Sequence, residues 1–120
     1  MIRATTALCL AALTALPAWA VELVMVEQPG CIYCERWDDE IAPIYPKTAE
    51  GKFAPLQRVN IRAVDDLLAT SRRVVFTPTF IVVDDGRELA RLEGYPGRDF
   101  FWPLLDQILQ EFTEFEGVPE

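Results

Sequence analysis

The sequence has 120 residues, with 19 acidic and 11 basic side chains, a formal net charge of −8 and no histidine. A chain of this length forms one domain around one core, and its acidity argues against nucleic acid or an anionic membrane surface as a partner.

The first 20 residues are typical of a secretory signal peptide. Arg3 supplies a short positive region, residues 4–16 are apolar, and Ala18-Trp19-Ala20 is a small-x-small cleavage site. The apolar stretch is too short to cross a bilayer and is followed by Pro17, so an uncleaved membrane anchor is the less favoured alternative. We therefore expect residues 1–20, including Cys9, to be removed from an exported domain of residues 21–120.

The exported domain begins with a predicted strand, "VELVMV" at residues 21–26, which a Pro-Gly pair ends. A helix follows, because apolar residues recur at helical spacing after Cys34, at Trp37, Ile41, Ile44 and Tyr45. Pro43 should kink or end this helix. The pattern places Cys31 at the helix N-terminus and Cys34 one turn later on the same face.

Three interpretations of this cysteine pair are open. An exported chain meets an oxidising compartment, so a structural disulfide is the default, but a four-residue ring closes almost no loop in the unfolded chain. A structural zinc site usually needs four Cys or His ligands, which this chain could supply only by dimerising. A helix N-terminus favours a thiolate, with pKa values of ~3.5 to ~7.5 at such sites. This favours Cys31 as a nucleophile with Cys34 as its resolving partner.

The middle of the chain predicts a strand "APLQRVNI" at residues 54–61 and a short helix "DDLLATS" at residues 65–71. The first strand, the cysteine helix and this second strand should form a right-handed parallel unit. The segment "TFIVVDDGRELARLEGY" contains two strand patterns joined at Asp85-Gly86, the strongest hairpin signal in the sequence.

A final helix is predicted with Asp99 as its N-cap, which would put Pro103 in the first turn, where proline is tolerated. Its apolar residues follow helical spacing and are expected to face the core: Phe101, Leu104, Leu105, Ile108, Leu109 and Phe112. The acidic tail after Phe112 is expected to fray.

This order of elements resembles the thioredoxin-like family. The resemblance rests on "CIYC" opening a helix, on "FTPTFIVV" at residues 76–83 beginning the hairpin, and on Gly94 after the second hairpin strand. It implies an α/β thioredoxin-like fold, with a central mixed sheet of about four strands flanked by helices. It also implies a cis peptide bond between Thr77 and Pro78 beside the cysteine pair.

Four longer segments are similar to the SoxS family of periplasmic thioredoxins: "MVEQPGCIYCERW", "IAPIYPKT", "TPTFIVVDDGRE" and "RLEGYPGRDFFW". This similarity implies a monomeric periplasmic reductant that restores the carrier cysteine of SoxY in the SoxYZ complex. A membrane thiol transporter such as SoxV would supply electrons, and the Cys31–Cys34 dithiol would serve in place of a cofactor. Two alternatives stay open: a general reductase or isomerase of the cytochrome c maturation type, and a non-catalytic binding domain.

The resemblance implies that Cys31 and Cys34 are catalytic and that a groove beside them binds substrate, formed by Ile32, Tyr33, Thr77, Pro78, Gly94 and Tyr95. Two departures from ordinary thioredoxins stand out: Ile32-Tyr33 replaces Gly-Pro, and Met25 stands where a buried acid is usual. Another group must then manage the proton of Cys34. Glu27, Glu35 and Asp38 are nearby, but we expect them on a solvated face, with Trp37 in the core and Tyr33 at the surface.

Overall fold

Four strands form one mixed sheet in residues 21–117, the part of the chain that this computed structural model describes. The strands are β1 (Val21–Glu27), β2 (Leu56–Asn60), β3 (Thr79–Asp84) and β4 (Arg87–Glu93), in the order β2-β1-β3-β4. β1 pairs parallel with β2, whereas β3 pairs antiparallel with both β1 and β4. The predicted α/β fold with a four-stranded mixed sheet is confirmed, whereas the signal peptide prediction falls on residues outside the described range.

Within this described part of the chain, four helices accompany the sheet: α1 (Ile32–Glu40), α2 (Ala49–Phe53), α3 (Val64–Leu67) and α4 (Arg98–Phe112). A 3-10 turn at Tyr45–Lys47 precedes α2, and neither element was predicted. The Tyr45 hydroxyl donates a 2.6 Å hydrogen bond to the Ala54 carbonyl, which ties this turn to the end of α2. None of the helices in residues 21–117 combines the length and the apolar character needed to cross a membrane.

The core has two sides because successive side chains of a strand point to opposite faces. On one face Leu23 and Met25 of β1 pack in a cluster with α1 and α4. On the other face Val24 and Val26 pack with side chains of β3 and with Val64 of α3. Both faces of the central strands are covered, so these strands read as continuous apolar runs.

Trp37 lies at the centre of the larger cluster and is fully buried, as predicted. Its ring lies 5.2 Å from that of Phe80 and 5.9 Å from that of Phe101, measured between centroids. Contacts of this kind add about 0.5–1.5 kcal/mol each beyond the burial of area. Through Trp37, the aromatic cluster therefore holds α1, and with it the cysteine pair, against β3 and α4.

The hairpin prediction is confirmed at its turn. Asp85 and Gly86 both have positive φ angles, 52° and 71°. A two-residue turn of this type matches the twist of the flanking strands, and Asp-Gly is among the pairs that tolerate it.

The final helix differs from its prediction at both ends. Its N-cap is Gly97, and Asp99 lies inside the first turn, so Pro103 is an interior residue of the helix. Pro103 leaves the carbonyl of the residue four positions earlier without a helical donor, a cost that tertiary burial of the neighbouring apolar residues offsets. Phe101, Leu105 and Leu109 are fully buried, and Ile108, also predicted to face the core, is partly buried and packs against the same cluster.

Other predicted boundaries and exposures were also wrong. Leu104 and Phe112 are 37% and 47% exposed and do not face the core. The tail beyond α4 is anchored through Phe115, which is buried with its ring 5.1 Å from that of Phe53. The second strand is shorter than residues 54–61, and α3 covers Val64–Leu67 where residues 65–71 were expected.

Candidate active site

The two cysteines lie in different environments at the start of α1. Cys31 is the N-cap residue and is half-buried, whereas Cys34 is 4% exposed and belongs to the core cluster. They form a disulfide with a Cα–Cα distance of 5.2 Å. The Cys31 Sγ accepts a 3.2 Å hydrogen bond from the Cys34 backbone N–H. A partner can therefore reach the Cys31 sulfur, while that of Cys34 is shielded.

A second loop meets the cysteine region through hydrogen bonds. The Thr77-Pro78 peptide bond is cis, as the resemblance implied. The Gln28 side-chain amide, three residues before Cys31, donates a 2.9 Å hydrogen bond to the Thr77 hydroxyl. The Gly94 N–H donates to the Pro78 carbonyl across 2.7 Å, and Gly94 has a φ of 86°, which favours glycine. These bonds hold together the segment before Cys31, the Thr77-Pro78 loop and Gly94, three regions that the sequence had indicated.

An open groove lies beside Tyr33, two residues after Cys31. Its lining side chains and backbone enclose about 450 Å³ and come from α1, β4, the following loop and α4: Tyr33, Leu92, Glu93, Gly94, Tyr95, Pro96 and Leu104. We call this feature the Tyr33 groove. Most of its lining is apolar, so it suits an apolar side chain of a partner protein.

Three of the six residues assigned to substrate binding line this groove: Tyr33, Gly94 and Tyr95. Ile32, 66% exposed, as well as the half-buried Thr77 and the buried Pro78, lies outside it. The other four lining residues were not predicted: Leu92, Glu93, Pro96 and Leu104. The sequence could have indicated that Leu104 lies at the surface, because six apolar residues form a wider stripe than the face that this helix fully buries.

Tyr95 presents its ring to the groove but not a free hydroxyl. The residue is 6% exposed, and its hydroxyl donates a 2.6 Å hydrogen bond to the Glu40 carboxylate. That bond, assisted by Arg36, lowers the pKa of Glu40 against the opposing effect of burial. Burial and the Glu40 carboxylate raise the pKa of Tyr95 to about 12. Tyr95 thus links the end of α1 to the loop before α4, while Tyr33, 51% exposed, stays at the surface as predicted.

Met25, which replaces the usual acid, is fully buried beside a charged cluster. The parallel register pairs it with Arg58 of β2, whose guanidinium lies 3.6 Å from the Met25 sulfur. Arg58 also donates 2.8 Å hydrogen bonds to Glu27 and Asp38. Glu27 and Asp38, which were expected on a solvated face, stay partly exposed and pair with Arg58 there. Glu35 is exposed, as expected. Arg58 went unnoticed in the sequence because only the strand register places it here.

Within residues 21–117 no group of three or more His, Cys, Asp or Glu side chains is arranged to hold a metal ion. The Cys31–Cys34 pair itself can exchange two electrons by alternating between disulfide and dithiol.

Comparison with known proteins places the chain in a family. Residues 19–109 match the family model described as a thioredoxin-like domain. The chain is similar to the crystal structure of the periplasmic thioredoxin SoxS from Paracoccus pantotrophus in its reduced form. The two are 52% identical, with a TM-score of 0.72, over 76% of this chain and 97% of that one. No curated protein sequence matches the chain. The chain therefore belongs to the thioredoxin-like family, and its Cys31–Cys34 pair makes it a thiol-disulfide oxidoreductase.

Proposed function

We propose that this chain is a periplasmic reductase that restores the carrier cysteine of SoxY in the SoxYZ complex. The observation that carries the reductase proposal is the asymmetry of the pair, with a reachable Cys31 at a helix N-terminus and a buried Cys34 one turn behind it. Its periplasmic location and its Sox partner are supported by the 52% identity with periplasmic SoxS.

The proposed reaction is two successive thiol-disulfide exchanges. The Cys31 thiolate attacks the sulfur of the carrier cysteine itself, forms a mixed disulfide with that cysteine and expels the blocking group as a thiolate. Cys34, deprotonated, then attacks the Cys31 sulfur and releases the carrier cysteine as its thiolate. The carrier disulfide has gained two electrons, and the Cys31–Cys34 pair has lost them as its own disulfide forms.

Substrate docking uses the surface around Cys31. An extended segment of SoxY would lie against Ile32 and Thr77, with an apolar side chain in the Tyr33 groove. The Pro78 carbonyl and the Gly94 N–H already bond to each other, so specificity in this proposal comes mainly from side-chain contacts. The acidic chain acts as a monomer, without nucleic acid or an added cofactor.

A cycle of this kind needs a reductant, because each turnover leaves the Cys31–Cys34 disulfide. A membrane thiol transporter such as SoxV would donate two electrons through its own dithiol. That donor would meet the same sulfur, Cys31, because Cys34 is buried.

Trapping the mixed disulfide tests the proposal. Cys34→Ser, expressed in the periplasm of a sulfur-oxidising host, should accumulate joined through Cys31 to SoxY, because the first attack occurs but the resolving thiol is missing. The adduct is identified by non-reducing electrophoresis and mass spectrometry. Cys31→Ser is the matched control and should capture nothing.

The proteins recovered distinguish the SoxY assignment from the more general oxidoreductase assignment. Recovery of cytochrome c maturation proteins alone, or of many unrelated periplasmic disulfide proteins, would overturn the SoxY assignment and leave the oxidoreductase intact. Equal capture by both variants would show that the adducts arise from adventitious oxidation.

A further inference from the structure

Arg58 connects the cysteine helix to the sheet through several contacts at once. Its guanidinium donates one 2.8 Å hydrogen bond to Asp38 on α1 and another to Glu27 on β1. The same group lies 5.8 Å from the centroid of the Trp37 ring. Arg58 thus contacts α1 at two consecutive residues and β1 at its end. The planar fork of arginine suits this double pairing, which a lysine cannot reproduce with one ammonium group.

These contacts matter because the disulfide does not attach α1 to the rest of the protein. Cys31 and Cys34 belong to the same turn, so the S–S bond closes a ring within the start of the helix. The position of α1 on the sheet depends on noncovalent contacts in both redox states. Inside the core, the buried Trp37 side chain holds α1 against the sheet. At the edge of the core, the ion pair between Arg58 and Asp38 does so.

Arg58 also lies beside Met25, the residue that stands where thioredoxins usually carry an acid, with its guanidinium 3.6 Å from the Met25 sulfur. Its strand partner is Met25, which shares the buried cluster with Cys34 and Trp37. Burial by itself would lower the pKa of Arg58, but its hydrogen bonds to Asp38 and Glu27 raise it. The guanidinium therefore stays positive beside the core cluster that holds the resolving cysteine.

We propose that Arg58 is a positioning residue for the resolving step, in which Cys34 attacks the mixed disulfide at Cys31. The inference rests on the exchange mechanism of the proposed function. Arg58 acts through Asp38 and Trp37, which lie four and three residues after Cys34 and so one helical turn away. It keeps that turn of α1 seated, so that the Cys34 sulfur faces Cys31 once the disulfide is open. Cys31 depends less on Arg58, because its environment comes from the helix N-terminus itself.

A two-step reaction with dithiobis-nitrobenzoate separates the two cysteines without any partner protein. The Cys31 thiolate attacks this aromatic disulfide, forms a mixed disulfide and releases one nitrothiobenzoate. Cys34 then attacks the Cys31 sulfur, the Cys31–Cys34 disulfide forms, and a second nitrothiobenzoate leaves. With the reagent concentrated enough to make the first, bimolecular release the faster one, stopped-flow absorbance of the reduced protein records the two releases as separate phases.

Arg58→Met should slow the second phase about tenfold and leave the first at the wild-type rate, since small misplacements of a reacting group cost this much or more. Asp38→Asn, which removes the negative charge that pairs with Arg58 on α1, should reproduce the effect, and Arg58→Lys should restore part of the second rate. Arg87→Met is the matched control, because it removes an exposed arginine at the hairpin, and both of its phases should match the wild type.

The proposal is overturned if Arg58→Met and Asp38→Asn leave the ratio of the two rates unchanged, including when both phases slow equally. If Arg58→Met does not fold, the same ratio of second-phase to first-phase rate is measured in Asp38→Asn and Arg58→Lys instead. Failure to capture SoxY in the trapping experiment would refute the proposed substrate and leave this result standing, because the aromatic disulfide replaces the protein substrate.

Discussion

The backbone N–H of Cys34 donates a hydrogen bond to the Sγ of Cys31 across 3.2 Å. A cysteine sulfur thus occupies the capping role that Ser or Asp usually fills at a helix N-terminus. When the disulfide is reduced, the same N–H and the positive end of the helix dipole favour negative charge on Cys31. Cys34 gains no such support, because it is buried among apolar side chains.

Alkylation should reveal this difference between the two thiols. In the reduced protein below pH 7, we expect iodoacetamide to modify Cys31 at least about tenfold faster than Cys34, because thiolate character and access both favour Cys31. Peptide mapping by mass spectrometry over a time course measures the two rates. Equal and slow modification of both cysteines would support the alternative of a non-catalytic binding domain.

The Tyr33 groove should contribute to protein substrates and not to small ones. We expect Tyr33→Ser to lower kcat/KM for reduction of a protein disulfide by about tenfold, the scale of losing part of an apolar contact. The rate with dithiobis-nitrobenzoate should stay unchanged. Leu67→Ser is the control, since Leu67 is also exposed, at 65%, but lies on α3 outside the groove. Equal losses in both variants would contradict a role for the groove.

The hydrogen bond between Tyr95 and Glu40 should make stability depend on acid pH. The folded protein lowers the pKa of Glu40 below its ordinary value of 4.5. Its ionised form therefore stabilises the fold above pH 4.5, and this contribution disappears as the pH falls through the lowered value. We expect Tyr95→Phe to have a lower melting temperature than the wild type at pH 7.

Calorimetry at several pH values checks this expectation. The difference in melting temperature between Tyr95→Phe and the wild type should narrow as the pH falls below 4.5. A difference of constant size across this range would show that Tyr95 contributes by packing alone.

The Asp106 carboxyl should make the stability of the fold fall as the pH rises, the reverse of the effect of Glu40. Burial, followed by its interaction with Glu50, raises the pKa of Asp106 from 3.8 to about 7. The unfolded chain releases this proton more readily, so the protein loses stability as the pH rises from 3.8 to about 7. We expect Asp106→Asn to melt at a higher temperature than the wild type at pH 8 and to show no such gain at pH 4.

Glu111→Gln supplies the control for this prediction, because it removes an exposed carboxylate from the same helix. It should not show a comparable pH-dependent gain. A change in melting temperature of equal size at both pH values would contradict a raised pKa of Asp106.

The sequence alone determined the order of the four strands and of helices α1, α3 and α4, and the identity of the reactive pair, because these depend on local signals. A Pro-Gly break before an amphipathic run put Cys31 at a helix N-terminus, and Asp85-Gly86 defined the hairpin. Both signals act over a few residues, through backbone conformations that few residue types tolerate.

The tertiary structure decided the features that depend on strand register and on how wide a helix face is buried. Only the β1–β2 register brings Arg58 to Met25, and only the packing of α4 shows that Leu104 lines a groove. Likewise, Phe115 is held by Phe53, more than 60 residues earlier in the chain. Residues far apart in sequence meet through packing that no local pattern specifies, so composition and periodicity could not assign Arg58, Leu104 or Phe115 to these places.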